Sequence, residues 1–376
     1  MRRVRANVTT SEVNWHVFMR QVKRHGVAGL VDYRLSAGKK QGVFPEGAIP
    51  NAVYERLRGL RRRVIKHNME RLRELIELVK TLDDRGISVM PFKGPLLAEA
   101  YYSDLAFRQY GDLDILVHRD DVLRAKRVLM QRGYKPHRDL TADEEKAFID
   151  SQMAYEFVRE RDRLIVEVHW ALMHKIHSFR LQAEAVWRNA EKTRIGGHPM
   201  KTLAFNDLVI YLAAHGSKHG WYRLLWACDM DRVIRQHSEA NWSDLLDQAR
   251  QIGSGRALRL GLYAAHRWID TPLPPAARDA VNSDDALPNL LDYVEDRWLF
   301  ANIRPKDDTV SGRAPYFMLM NERWRDRWAY YKHLIWLAVT PTRHDRVVVS
   351  LPASLSPLYY VVRPFRLLRD WIRNHT

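Results

Sequence analysis

The sequence predicts an α+β protein, a small α/β domain over roughly residues 85–200 set among helical segments. Three observations predict it. From Asn51 to Arg85 apolar residues recur at helical spacing. From Ile87 to Trp170 short apolar runs alternate with helical patterns and turn residues, in the order strand, helix, strand, helix, strand, strand. Beyond Thr202 the pattern is helical again to about Val339.

In the first stretch, Ile65, Met69, Leu72, Ile76 and Val79 form one apolar stripe, which Gly86 stops. Residues 87–92 read as a strand and Lys93-Gly94-Pro95 as a turn, with Pro95 suited to the first position of the helix that follows, Leu96 to Tyr102. Asp112 to Val117 is an apolar strand carrying two acids. Asp120 to Arg132 is a helix ending at Gly133, and Tyr134 opens another extended piece. Residues 153–158 and 164–170 read as paired strands joined by the polar turn Arg159–Arg163. Asn206 is placed to cap the next helix, and helical stretches follow near 221–237, 240–252 and 255–269. A Pro-rich break at 271–275 precedes a further helical region, and the chain from Pro341 is Pro-punctuated.

The length, 376 residues, suits about two domains and a core that needs no covalent staple. One cysteine, Cys228, excludes an intrachain disulfide and a Cys-based zinc cage, and fits a reducing cytoplasm. No run of 18 apolar residues occurs, and no apolar segment follows the basic Met1–Arg5, so neither a membrane span nor a signal peptide is expected. The net charge of +16 is uneven. Residues 1–80 hold 18 basic and 7 acidic residues, residues 301–376 hold 13 and 6, and the stretch between is close to neutral. A nucleic-acid enzyme more often surrounds its active site with basic charge, so solvated basic helix faces are the plainer reading.

The most informative stretch is Gly111-Asp112-Leu113-Asp114-Ile115-Leu116-Val117. Alternation puts Asp112 and Asp114 on one face, about 7 Å apart. Two carboxylates on an otherwise apolar strand are costly unless something positive lies between them, and Mg²⁺ meets that need. Glu167, again an acid in an apolar strand, would complete a two-metal site. The plainer alternative is an Asp capping a turn and another paired with an Arg.

Phe92-Lys93-Gly94, Tyr101, Arg108, Asp112-Leu113-Asp114, Gly133-Tyr134 and Glu167-Val168-His169-Trp170 together resemble the uncharacterised nucleotidyltransferase family of the DNA polymerase β superfamily. The resemblance continues through His215-Gly216-Ser217-Lys218-His219-Gly220-Trp221, Leu224, Trp226 and Asp229 to Leu351-Pro352 and Arg363-Pro364. It departs at the turn, where Lys93-Gly94-Pro95 stands in place of a Gly-Gly or Gly-Ser pair, and Gly94 lies rather far ahead of Asp112. It implies a small mixed-sheet, polymerase β-like nucleotidyltransferase domain at 85–202, with a helical segment at 1–84, a helical domain at 203–340 and a basic aromatic tail at 341–376. It further implies that Asp112 and Asp114 hold two Mg²⁺ ions, that Glu167 joins them on one, and that an NTP donates its NMP to an acceptor. The sequence does not identify that acceptor; a small molecule, glycan, peptide or protein is favoured over nucleic acid such as an RNA end.

Gly94 would let backbone approach phosphate, with the following helix N-terminus as donor. Lys93 either adds charge for the phosphates or pairs with an acid. Arg108 either clamps phosphate or, the favoured alternative, buttresses the acidic strand. His169 shares the face of Glu167 and either orients the site or is an ordinary strand histidine. Lys218 and His219 would touch nucleotide or acceptor, while Trp221 and Trp226 pack in a helical core. Two further readings stay open: a nucleotide-binding protein on a degenerate transferase fold, and a hydrolase with zinc on His215, His219 and Asp229, which lacks the general base of that motif. In the tail, a helix from Pro364 with Phe365, Leu368 and Ile372 on one face is expected to pack on the protein itself rather than on an anionic membrane.

Overall fold

The computed structural model describes residues 13–174, 181–301, 303–340 and 358–375. Three helices open the chain: α1 (Trp15–His25), α2 (Ala28–Lys40) and the long α3 (Asn51–Asp83). Their apolar faces form a small cluster of their own around Met19, Leu35, Tyr54 and Leu57. The second half of α3 belongs instead to the main core, through Leu75, Leu78, Val79 and Leu82.

The buried face of α3 differs from the apolar stripe read in the sequence. Met69 is exposed, whereas Asn68 and Glu74 are buried. Both polar residues find hydrogen-bond partners within the fold, although the Asn68 Oδ1 accepts none there. The Asn68 amide donates to the carbonyls of Leu105 and Arg108, and Glu74 takes Arg132, Arg159 and the Tyr134 hydroxyl. Burial follows satisfaction of hydrogen bonds here, so an apolar count misplaces the face.

The sheet follows: β1 (Val89–Pro91), α4 (Pro95–Tyr101), β2 (Asp112–Val117), α5 (Val122–Gln131), β3 (Lys135–Pro136), α6 (Ala142–Ser151), β4 (Ala154–Arg159) and β5 (Leu164–His169). Its order is β1-β2-β5-β4-β3. β2 and β5 run parallel at the centre and every other pair is antiparallel. This is the mixed sheet that the resemblance implied. The central register sets Asp114 directly beside Glu167. α6 carries a capping box between Thr141 and Glu144, a Thr-x-x-Glu signal the sequence reading passed over. The segment α7 (Ala183–Asn189) and the hairpin β6 (Glu191–Ile195) and β7 (His198–Thr202) also went unread; β7 packs on β1.

The helical part comprises α8 (Phe205–Lys218), α9 (Leu224–Gln236), α10 (Trp242–Gln251), α11 (Gly255–Ile269), α12 (Pro275–Asn282), α13 (Ala286–Val294), α14 (Val310–Met320) and α15 (Trp324–Val339). α8 begins one residue before Asn206, which is no cap: its amide donates to Gln248 on α10. One cluster of buried apolar residues runs from Leu75 to Met320 and joins the sheet to these helices. Trp221 lies in it, fully buried, its indole N–H donating to Ser217. No described helix is long and apolar enough to cross a membrane. The last helix, α16 (Tyr359–His375), starts before Pro364 rather than at it, anchored by buried Tyr359, and packs against α15; Phe365 is exposed. Leu351-Pro352 and Met1–Arg5 lie outside the described residues.

α1 meets α9 at His25, whose Nδ1 accepts from the Leu224 N–H at 3.4 Å. Burial, with Arg24 beside it, pushes this imidazole down to about 4. The unfolded chain then binds the extra proton, so the contribution is whole above about pH 6.5 and lost as pH falls toward 4. Chemical denaturation should show wild type losing about 2 kcal/mol over that interval relative to His25→Gln.

Candidate active site

The sheet and the helical part face each other across a cavity of about 530 Å³. Its floor is built by β2 and β5. Asp112 and Asp114 alternate onto one face of β2, and the parallel register brings Glu167 beside Asp114. All three line the cavity. The tightest group comprises Asp114, Glu167 and His169, whose ligand atoms lie within 4.8 Å of one another. Asp112 sits one alternation away along the same face.

The floor carries its own cations. The Lys93 ammonium lies 2.5 Å from Asp114 Oδ1, which is the pairing alternative of the sequence reading. His169 Nε2 lies 3.2 Å from Asp114 and 3.1 Å from Glu167, so His169 does share the acids' side. Burial alone would push the Asp114 carboxyl up, but Lys93 and His169 hold it below the usual range. Burial opposes the charge on Lys93 more than any single neighbour favours it, but Asp114, Tyr211, Asp112 and Glu167 together hold the ammonium charged. The His169 hydrogen bond lowers Glu167. Asp112 moves the other way: burial and then its neighbour Asp114 raise it, and Lys93 offsets them only in part.

Gly94 turns the chain over this floor at φ 54° and ψ −118°, a conformation open to glycine. A Cβ there would lie 3.2 Å from the Asp112 carbonyl. The helix start behind it offers fewer free donors than expected, because Pro95 has no N–H and that of Leu96 bonds to the Lys93 carbonyl. Arg108 is the buttress. Its guanidinium grips both oxygens of Asp229 at 2.7 and 2.9 Å and donates to the Gly94 carbonyl at 3.2 Å. The Tyr102 hydroxyl donates to the same carboxylate at 2.7 Å. Asp229 is therefore occupied by Arg108 and Tyr102 and is not turned to the two histidines, whose rings are 4.6 Å apart.

The opposite wall is α8 and the start of α9. Tyr211, His215 and Lys218 share one face of α8 by their spacing, His219 follows at its C-cap, and all four line the cavity. Lys218 has no carboxylate partner among the described residues; burial and then Lys93 lower it to about 8. Burial keeps His215 neutral. Trp226, expected in the core, is half-buried at the cavity wall, with its ring 5.4 Å from His215 and 5.5 Å from His219. Tyr211, Tyr222 and Arg223 also line it and were not singled out in the sequence. The i, i+4, i+7 relation of Tyr211 to His215 and Lys218 was the signal available.

Acids on neighbouring parallel strands, facing a basic helical wall in one cleft, define a class: enzymes that transfer phosphorus-containing groups. The chain belongs to the uncharacterised nucleotidyltransferase family, whose profile matches residues 11–270. It is thus a transferase of α+β fold. No curated protein matches it.

Gly94→Ala should lower stability by about 1–3 kcal/mol through its positive φ and the Asp112 contact, read from thermal melting. Asp229→Asn should cost about 3 kcal/mol, because it leaves the buried Arg108 guanidinium short of its counter-charge; a melting temperature equal to wild type would contradict the buttress.

Proposed function

We propose that the chain moves a nucleoside monophosphate from an NTP to an acceptor nucleophile, with release of pyrophosphate, using Mg²⁺ held by Asp112, Asp114 and Glu167. The observation that carries this reading is the pairing of Asp114 with Glu167 across β2 and β5, with Asp112 on the same face, at the floor of one cavity. The donor set fits a hard divalent cation, since carboxylate oxygens dominate it. When bound, two such ions supply a lowered pKa for the attacking hydroxyl and neutralisation of the leaving pyrophosphate.

The chain's own residues do the rest. The NTP phosphates lie between the acidic floor and the wall that carries Lys218 and His219. Lys93, which pairs with Asp114 here, would offer its ammonium to the phosphates if that carboxylate held a cation. His169 holds Asp114 and Glu167 in one orientation through Nε2. The acceptor oxygen bonds to the α-phosphorus, the bond from that phosphorus to the bridging oxygen breaks, and pyrophosphate departs with the electron pair. The acceptor proton passes to a floor carboxylate and on to water. The protein works in the cytoplasm.

One observation favours a second reading, a nucleotide-binding protein without transfer: Lys93 and His169 already neutralise Asp114. Incubation with each labelled NTP, Mg²⁺ and cell extract separates the two, because only transfer labels an acceptor.

Asp112→Asn should leave melting unchanged or raise it, since it removes a buried charge that burial and Asp114 already disfavour. It should weaken Mg·NTP binding by more than about 100-fold in calorimetry. Unchanged affinity would place the nucleotide elsewhere. Asp114→Asn differs: it strips the buried Lys93 ammonium of its partner and should cost about 3 kcal/mol.

A further inference from the structure

A second cavity, of about 390 Å³, lies between α1, α3 and the loop that leads into β2. It shares Gln109, Tyr110 and Gly111 with the catalytic cavity, so one thin wall of backbone separates the two. Apart from Asn68, its other polar lining is basic: Lys23 from α1, and Arg63, His67 and Arg71 from α3. Among the described residues no carboxylate lines it and none of these four groups is ion-paired. Arg63, His67 and Arg71 stand at i, i+4 and i+8, about 6 Å apart along the helix. The ladder ends at the catalytic strand, where Arg71 Nε donates to the Gly111 carbonyl at 3.0 Å. Arg71 also lies 3.0 Å from His67 Nδ1. A guanidinium can only donate, so Nδ1 accepts and the His67 Nε2–H is left as a further donor.

We propose that this cavity binds the phosphate group of a small phosphorylated acceptor and presents that acceptor to the catalytic cavity across the 109–111 wall. As an acceptor site it rests on the nucleotidyl-transfer reading; as a phosphate site it does not. Unpaired arginines aligned on one helix face, with a lysine opposite, suit phosphate oxygens through charge-assisted hydrogen bonds. A single-stranded nucleic acid fits less well, because such sites stack bases on exposed aromatic rings. Tyr110, the one phenol or indole among the cavity's lining residues, is buried, and its hydroxyl donates to the Asn68 carbonyl. The concave volume suits a molecule of sugar phosphate size.

The test uses the full chain, free of Mg²⁺ and NTP, titrated with ribose 5-phosphate in a calorimeter at low salt. Saturable binding is expected, with none for ribose. Lys23→Glu with Arg63→Glu changes two exposed side chains and should weaken it by about tenfold or more, with melting unchanged. Lys23→Arg with Arg63→Lys, which keeps both charges, should retain it. Mg·ATP affinity should change less than about twofold in either variant. Absence of saturable binding, or equal affinity in the charge-reversed variant, overturns the proposal. So does a ten-residue oligothymidylate that binds about tenfold more tightly than ribose 5-phosphate through the same residues, which would assign the cavity to nucleic acid. If ribose 5-phosphate binds as expected while Mg·ATP does not bind at all, the phosphate site stands and the transfer reading fails.

Discussion

The buried contact between Arg108 and Asp229 is the constraint on which the cleft depends. Arg108 lies just ahead of β2, Asp229 lies on α9, and the third arm of the guanidinium reaches the Gly94 carbonyl. One planar group thus joins the acidic strand, the turn above it and the helical wall. Its fork geometry suits this, because two donors fit a carboxylate and one remains for a carbonyl. Both partners are buried, so the charges cannot part without leaving one of them unpaired in a medium of low polarity. The distance between floor and wall is therefore held by charge as well as by the apolar core.

The floor shows a related economy. Three carboxylates in close quarters repel, and without counter-charge one would protonate. Lys93 and His169 supply that counter-charge from within the chain and keep Asp114 and Glu167 ionised, whereas Asp112 is raised by burial and by Asp114. Of the two sequence alternatives for this lysine, the structure shows the pairing with an acid. The depressed Lys218 on the opposite wall follows from the same crowding, because burial and the nearby Lys93 both disfavour its charge.

Charge along the chain and charge in space also part company. The sequence separates the basic N-terminal residues from the acidic strand by some forty positions, which argues for ordinary solvated helix faces. α3 runs back along the sheet, and its Arg63, His67 and Arg71 end beside Gly111. The basic segment therefore reaches the chain that walls the cavity above the acidic strand, a relation that no count of residues by position reveals.

The sequence by itself determined the elements that rest on local periodicity: the strand of Asp112 and Asp114, the later strand of Glu167, the Gly94 turn with Pro95 behind it, and the run of helices beyond Thr202. Each is set by spacing, capping or backbone chemistry within a few residues. It also carried the family, through motifs that together are specific. Tertiary structure alone decided the parallel register that sets Asp114 against Glu167, because strand pairing is non-local. It decided that Arg108 grips Asp229, that Trp226 lines the cleft, and that Asn68 and Glu74 are buried while Met69 is not. In each case the deciding partner lies far away in sequence, and a buried polar group is stable only where folding brings that partner within hydrogen-bonding distance.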